Sequence, residues 1–327
     1  MSLSLSQELL SRLEQDRSAI EETLKALVVS GVPTVHSVCT HTLNAGGKRL
    51  RPGLVLMAAE ATGRPFDRQR ALRLGACMEM VHMATLIHDD VIDHAATRRG
   101  QPTAANVFGN TPAILSGDVL LARAMTVLAE DGDLAIIREV SRAVVDMAEG
   151  EALEVMHRGN LRLSLDEHMT VLRLKTATFI ECCCKLGGMV AGASKEVCEA
   201  LGSYGYNLGM AFQVVDDLLD FEGNEEKTGK PVATDFREGC ATLPLIYFLE
   251  VADSDQMVKV QSWFGECCSD EEVTQLTEWL GMDALGRARE TGSEFADLAR
   301  SALSTLPHTA QRDLLQSLCD YVTGRDH

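Results

Sequence analysis

Aromatic residues make up only 5% of the 327-residue chain, and 30 Lys plus Arg face 48 Asp plus Glu, for a formal net charge of −18. That balance argues against nucleic acid or an anionic lipid surface as a main partner, and so few rings offer no base-stacking platform. No 18-residue apolar run is present, so no transmembrane segment is expected. The opening MSLSLSQELLSRLEQD places acids inside its first apolar stretch, unlike a signal or transit peptide. The ten cysteines form no C-x-x-C. Neither zinc spacing nor a redox pair is indicated, and reduced thiols in a cytoplasmic protein are the expectation. Proline is sparse too, with eight residues falling mostly at apparent helix starts or in loops.

What fills the chain is helix. Apolar residues, 46% of the total, recur at three- and four-residue spacing over roughly 7–28, 34–45, 52–62, 67–95, 112–130, 133–158, 165–192 and 195–222. Capping boxes of the form S-x-x-E stand at Ser164–Glu167 and Ser269–Glu272. No internal repeat, low-complexity tract or flexible linker interrupts the pattern. The expectation is one all-α domain over 1–327, a bundle of long, mostly antiparallel helices around a central cavity.

Against this background one motif occurs twice. His88 is followed by Asp89-Asp90-Val91-Ile92-Asp93, late in a long helical stretch, and Asp216-Asp217-Leu218-Leu219-Asp220 closes another, with Gln213 one turn before it. Carboxylates four apart leave the same helical face and repel each other, and a helix C-terminus disfavours them further. A hard divalent cation such as Mg²⁺ offsets both costs, since it is often held by carboxylates together with substrate phosphates. Antiparallel helices could bring two such clusters face to face around a diphosphate.

Basic residues stand beside both motifs. Gly46-Gly47 precede Lys48, Arg49 and Arg51, ahead of a helix expected to begin at Pro52. That is a donor-rich loop suited to anions, but not a Walker loop. Arg98-Arg99 follow the first motif, Lys175-Thr176 sit within an apolar helix, and Lys227 and Lys230 follow the second motif. Arginine forks suit phosphate oxygens bidentately.

Taken in order, GGKRLRP, HDDVIDHAATRRGQPTAAN, KTA, FQVVDDLLD and GKPVATDFREGCATLPLIY resemble the signature of trans-polyprenyl diphosphate synthases, across nearly the whole chain. The resemblance implies an all-α isoprenoid-synthase fold, a homodimer, and two substrates, isopentenyl diphosphate and an allylic diphosphate. It implies that Lys48, Arg51, His82 and Arg99 bind the former. Arg98, Lys175, Thr176, Gln213 and Lys230 would hold the latter, with several Mg²⁺ ions drawn from Asp89, Asp90, Asp93, Asp216, Asp217 and Asp220. Asp89, Asp93, Asp216 and Lys175 would then carry the catalysis. His82 lies seven residues before Asp89, two turns along one stripe, which supports its place independently. The chain departs from the pattern at Cys240, where relatives often carry lysine.

In short-chain members bulky aromatics just before the first motif floor the product cavity. Here Ala84 and Thr85 occupy those positions, with Met80, Val81 and Cys77 beneath. A long product, about C30 or above, is expected, a precursor for quinone side chains. The alternatives are a shorter farnesyl or geranylgeranyl diphosphate synthase and, further off, a terpene cyclase. A di-iron helical bundle is a third, built on the E-x-x-H pairs Glu79/His82 and Glu154/His157. Transient membrane contact for product release is part of the expectation for the synthase.

Overall fold

The computed structural model describes residues 2–222, 232–265 and 268–324. Lys227 and Lys230 lie outside the described residues. The helices follow the apolar periodicity closely: α1 (Ser2–Leu27), α2 (Pro33–Asn44), α3 (Leu50–Ala61), α4 (Arg68–Ile92), a short α5 (Ala104–Phe108), α6 (Asn110–Asp131) and α7 (Leu134–His157). α8 (Leu165–Leu172) passes through a π-helical turn, Arg173–Ala177, into α9 (Thr178–Val190), and α10 (Lys195–Glu222) follows. The remainder is α11 (Thr234–Arg237), α12 (Leu243–Leu249), α13 (Ser254–Trp263), α14 (Asp270–Ala302), which breaks at Gly281, and α15 (Ala310–Thr323). The only strands among the described residues are a two-residue pair, Thr97–Arg98 with Gln101–Pro102. Both expected capping boxes are formed, and Asp253 with Gln256 makes a third.

Two compact units divide the chain. The first comprises Met1–Ser141, Cys182–Gly202 and Thr305–Ser317. Its centre is α4, packed against α3 and α6 and buried from Ala71 to Ile87 almost without interruption. α3 is likewise buried along its length, so neither helix has a polar stripe, as expected of helices covered on all sides. Two glycines permit very close approaches. A Cβ at Gly187 would run into the Val55 carbonyl oxygen, and one at Gly117 into the His88 ring. α6 is long and apolar enough to cross a membrane by length and composition, with 39% of its apolar window buried. That is a qualification of the expectation that no segment would meet this test, and the helix carries Asp118 and Arg123 and packs on α4.

The second unit comprises Arg142–Glu181, Ser203–Ser304 and Leu318–His327. Its core gathers Met210, Val214 and Leu218 of α10 with Leu243, Leu245 and Phe248 of α12 and Leu276, Leu280 and Ala288 of α14. The Trp263 and Trp279 rings stack at 5.5 Å, and Phe236 meets Phe264 edge-on at 5.4 Å. The described cysteines are free thiols, and burial pushes Cys39 to about 11 and Cys77 to about 12, so neither is a ready nucleophile.

Candidate active site

In the first unit the Gly46–Arg51 loop is built on strained backbone. Gly46 and Gly47 have φ of 83° and 142°, and Arg49 is left-handed at 49°. Arg49 starts α3, so the helix begins at Leu50 and not at Pro52 as the sequence suggested; Pro52 sits in the first turn, where its missing N–H is tolerated. The Arg49 side chain is buried. It donates from Nη1 to Glu79 Oε1 at 3.0 Å and from Nη2 to the Leu43 carbonyl at 2.7 Å, which pins the loop to α4. Lys48 is exposed and Arg51 half-buried.

Arg99 reaches back to this loop. Its Nη1 donates to the Gly46 carbonyl, and a Cβ at Gly47 would lie 2.6 Å from that same nitrogen. Arg99 and Gly100 both have positive φ, 53° and 72°, which is what a two-residue hairpin turn between the short strands requires. His82 is half-buried among Arg51, Arg99, Arg98 and Arg49; burial first, and then these four cations, hold its imidazole neutral, with a pKa well below the usual value. The expected set of Arg51, His82 and Arg99 is therefore brought together.

The first aspartate motif ends α4. Asp93 is exposed at the C-cap, Asp89 is half-buried, and Asp90 is buried. Arg98 Nε donates to Asp90 Oδ1 at 2.6 Å; burial raises the Asp90 pKa while Arg98 opposes the rise. Ala84 is buried and Thr85 half-buried, its hydroxyl donating to the His82 carbonyl at 2.9 Å. Cys77 Sγ meets the Ala124 carbonyl at 3.3 Å and His88 Nε2 the Ile114 carbonyl at 3.2 Å, so α4 and α6 run antiparallel. That register sets Ala84 at about the level of Gly117 and Asp118.

In the second unit Lys175 lies on the π-helical turn, not in the regular helix expected, and such insertions often mark functional sites. Gly150 of α7 and Gly209 of α10 press on this turn. A Cβ at Gly150 would lie 2.5 Å from Lys175 N, and one at Gly209 2.7 Å from Ala177 Cα. Lys175 Nζ reaches Glu154 Oε1 and Oε2 at 2.8 Å and Glu151 Oε2 at 2.9 Å. Burial alone would lower its pKa, but the two glutamates outweigh burial and raise it. Thr176 and Gln213 are half-buried.

The second motif divides its carboxylates as the first does. Asp216 is exposed. Asp217 is buried and accepts from His168 Nε2 at 2.8 Å and from the Leu243 N–H at 3.2 Å. Asp220 is half-buried and accepts from the Thr234 and Asp235 N–H groups at 3.0 and 3.2 Å, capping α11. Burial, and then Asp220 and Asp217, push the neighbouring Asp235 carboxyl far above its usual range. Cys240 is pushed up to about 12 by burial and by Glu154 and Asp235, while a hydrogen bond from Arg158 works the other way.

In each motif, then, the first aspartate is accessible and the second is turned inward onto a protein donor. Hard oxygen donors at Asp89 with Asp93, and at Asp216, suit Mg²⁺. Among the described residues no three His, Cys, Asp or Glu side chains close into a complete cage. A cation here needs further oxygens from a substrate, the usual situation for Mg²⁺ with phosphates.

Sequence reasoning missed Glu151, His168 and Asp235 as site-building groups, took Arg49 for an anion donor, and read Glu79 and Glu154 only as members of E-x-x-H pairs. A signal existed for Glu151 and Glu154, which share a helical face three residues apart just before the KTA turn. Of the E-x-x-H glutamates, Glu79 pairs with Arg49 and Glu154 with Lys175.

A model of the polyprenyl synthetase family matches residues 32–280. The chain belongs to the polyprenyl synthetase family. This prenyltransferase is 35% identical to heptaprenyl diphosphate synthase component 2 of Geobacillus stearothermophilus, over 97% of its own length and 98% of that protein. Its fold is that of the Rhodobacter capsulatus decaprenyl diphosphate synthase, with TM-score 0.91, 34% identity and coverage of 98% and 99% of the two chains. A polyprenyl synthase of Caulobacter crescentus CB15, solved with calcium and isoprenyl diphosphate, superposes with TM-score 0.90 at 33% identity, covering 97% of this chain and 98% of that one.

Proposed function

We propose that this prenyltransferase condenses isopentenyl diphosphate head-to-tail with an allylic diphosphate, in a Mg²⁺-dependent reaction that gives an all-trans polyprenyl diphosphate of about C30 or longer for quinone side chains. The observation that carries the reading is the neutral His82 set among Arg51, Arg98 and Arg99 two turns above Asp89, a cationic anion site beside a metal-suited carboxylate pair. The long-chain products named for the Geobacillus and Rhodobacter relatives, and the small Ala84 and Thr85, support the product length. Cytoplasmic location, a single catalytic domain over 1–327 and action as a homodimer belong to the same proposal.

Bound Mg²⁺ would supply Lewis-acid withdrawal of charge from the allylic diphosphate. Asp89 and Asp93 on α4 would hold such ions, as would Asp216 on α10, and Asp90 and Asp217 would fix the orientation of those ligands. Lys48, Arg51, His82 and Arg99 bind isopentenyl diphosphate, the neutral imidazole donating a hydrogen bond without adding charge. Arg98, Lys175, Thr176, Gln213 and Lys230 hold the allylic diphosphate. To do so, Lys175 must share its ammonium between that diphosphate and Glu151 and Glu154. Breaking the allylic C–O bond releases diphosphate and leaves a carbocation. The isopentenyl double bond attacks it, forming the new C–C bond, and a proton leaves to the released diphosphate. Apolar helix walls keep water from the cation.

The test is incubation with isopentenyl diphosphate, Mg²⁺ and geranyl, farnesyl or geranylgeranyl diphosphate, followed by product sizing. Chains of C30 or more are expected; a cyclised hydrocarbon or products stopping at C15 to C20 would overturn the reading. Asp89→Ala should lower turnover by roughly 10³-fold or more, in line with the loss of a major charge-stabilising group, while the helical circular dichroism is unchanged.

A further inference from the structure

The acidic motif on α10 does not stand alone on its helix. One of its three carboxylates, Asp217, is buried and held from two other elements, and His168 is the side chain that holds it. His168 itself is buried on α8, 5% exposed, and Asp217 is 6% exposed. The imidazole Nε2 and the carboxylate Oδ2 are 2.8 Å apart. The same Oδ2 accepts from the Leu243 N–H at the start of α12, 3.2 Å away. A buried carboxylate in this position must be hydrogen-bonded or pay a large desolvation cost, so the bond is a fixed feature of the fold.

We propose that His168 is a positioning residue, one that sets the rotation of α10, and so the direction of Asp216, together with the seating of the Lys175 turn. Three observations converge on it. His168 sits five residues before the π-helical turn Arg173–Ala177 that carries Lys175, on a helix whose start is fixed by the Ser164–Glu167 capping box. Asp217 follows Asp216 directly, so fixing its side chain on the inner face of α10 fixes Asp216 about 100° around the helix, on the outer face where it is exposed. Gly209, two turns earlier on α10, meets Ala177 at the end of the same turn. The α10 helix and the Lys175 turn are thus tied at two levels, by a close backbone approach at Gly209 and by the His168–Asp217 bond. Breaking the second leaves Asp217 held only by the Leu243 N–H, so the seating of α10 against the turn loosens at the level of Asp216 while Gly209 still holds the helices together.

This deepens the proposed function and rests on its reading of the α10 motif as part of a metal–diphosphate site. The test uses the full chain, with Mn²⁺ as a spectroscopic probe and inorganic diphosphate as the ligand. Partners that orient a metal ligand typically change affinity or activity by about 10- to 100-fold when removed. His168→Ala is expected to weaken diphosphate-dependent Mn²⁺ binding within that range. His168→Gln, whose amide nitrogen can donate from nearly the same place, should recover most of the binding. Asp217→Asn keeps an acceptor for both donors and should lose much less than Asp216→Asn. The double variant His168→Ala/Asp217→Ala should be no weaker than Asp217→Ala alone, because His168 acts only through Asp217. Wild-type binding by His168→Ala, or no recovery in His168→Gln, overturns the proposal. So does an Asp217→Asn variant as defective as Asp216→Asn, since Asp217 would then ligate directly. If His168→Ala does not fold, the Gln and Asn variants still decide. If the wild-type chain shows no diphosphate-dependent Mn²⁺ binding, the underlying reading of the motif fails, and the inference falls with it.

Discussion

His82 is held neutral by burial and by the arginines around it, and that choice has a cost that can be measured. In the unfolded chain its imidazole titrates near the ordinary value of about 6.5. In the folded chain the pKa lies well below that, so between the two values the unfolded state binds a proton that the folded state does not. Stability from this group is therefore complete above about pH 6.5 and is lost as the pH falls towards the folded value, at no more than about 1.4 kcal/mol per pH unit. The expected outcome is a urea midpoint that falls between pH 7 and pH 5, with a smaller fall in His82→Gln. An equal slope in both proteins would show that other groups carry the acid sensitivity. The readout is stability and not turnover, because the same substitution removes a proposed substrate contact. Asp90 and Asp217 are each turned onto a side-chain donor, Arg98 and His168.

Helices place these residues, and glycines decide how closely the helices approach. Alanine at an interior helical position is normally more favourable than glycine by up to about 1 kcal/mol. At Gly150 that preference should reverse, because a Cβ would lie 2.5 Å from Lys175 N, which is backbone and cannot swing away. Overpacking of this kind costs about 1–3 kcal/mol. Gly150→Ala should therefore lower the urea midpoint and the turnover together, while Gly286→Ala, which meets nothing within 4 Å, should not lower stability. The α4–α6 register argues a second element-scale outcome. Ala84 lies at about the level of Gly117 and Asp118, on the stretch one turn below Asp89, so Ala84→Phe should shorten the product distribution by at least one five-carbon unit on sizing. An unchanged distribution would place the stop elsewhere. Helix extents were legible in the sequence because buried helices such as α3 and α4 write a dense apolar pattern, and the paired aspartates stood out because like charges four apart repel on one helical face. The π-helical turn was not, because KTA has no period of its own; nor was the inward turn of Asp90 and Asp217, since their partners Arg98 and His168 are specified by packing between elements, and His168 is 49 residues distant in the chain from its aspartate.

For the whole molecule, the excess of 18 negative charges sharpens what an apolar surface means. Copies of so acidic a chain repel at a distance, and association needs a patch that is apolar and locally uncharged. On α6 the residues Ile114 and Leu115 are 40% and 55% exposed, beside Val107 of α5 at 50%. A helix apolar enough to be confused by composition with a membrane span, yet only partly covered by its own chain, leaves such a face open. The homodimer proposed above would cover it. The wild-type chain should then sediment as a dimer at micromolar concentration, and Leu115→Asp should sediment as a monomer or weaken the dimer by at least about tenfold, since burying an unpaired carboxylate at an apolar contact costs several kcal/mol. A wild-type monomer that floats with lipid vesicles, and loses that property in Leu115→Asp, would assign the face to membrane contact and remove the dimer from the proposal. Salt separates the two further: screening the repulsion between acidic copies should strengthen a dimer held by apolar contact, so its dissociation constant should fall as ionic strength rises from 0.01 to 0.15 M, where the Debye length shortens from about 30 to 8 Å.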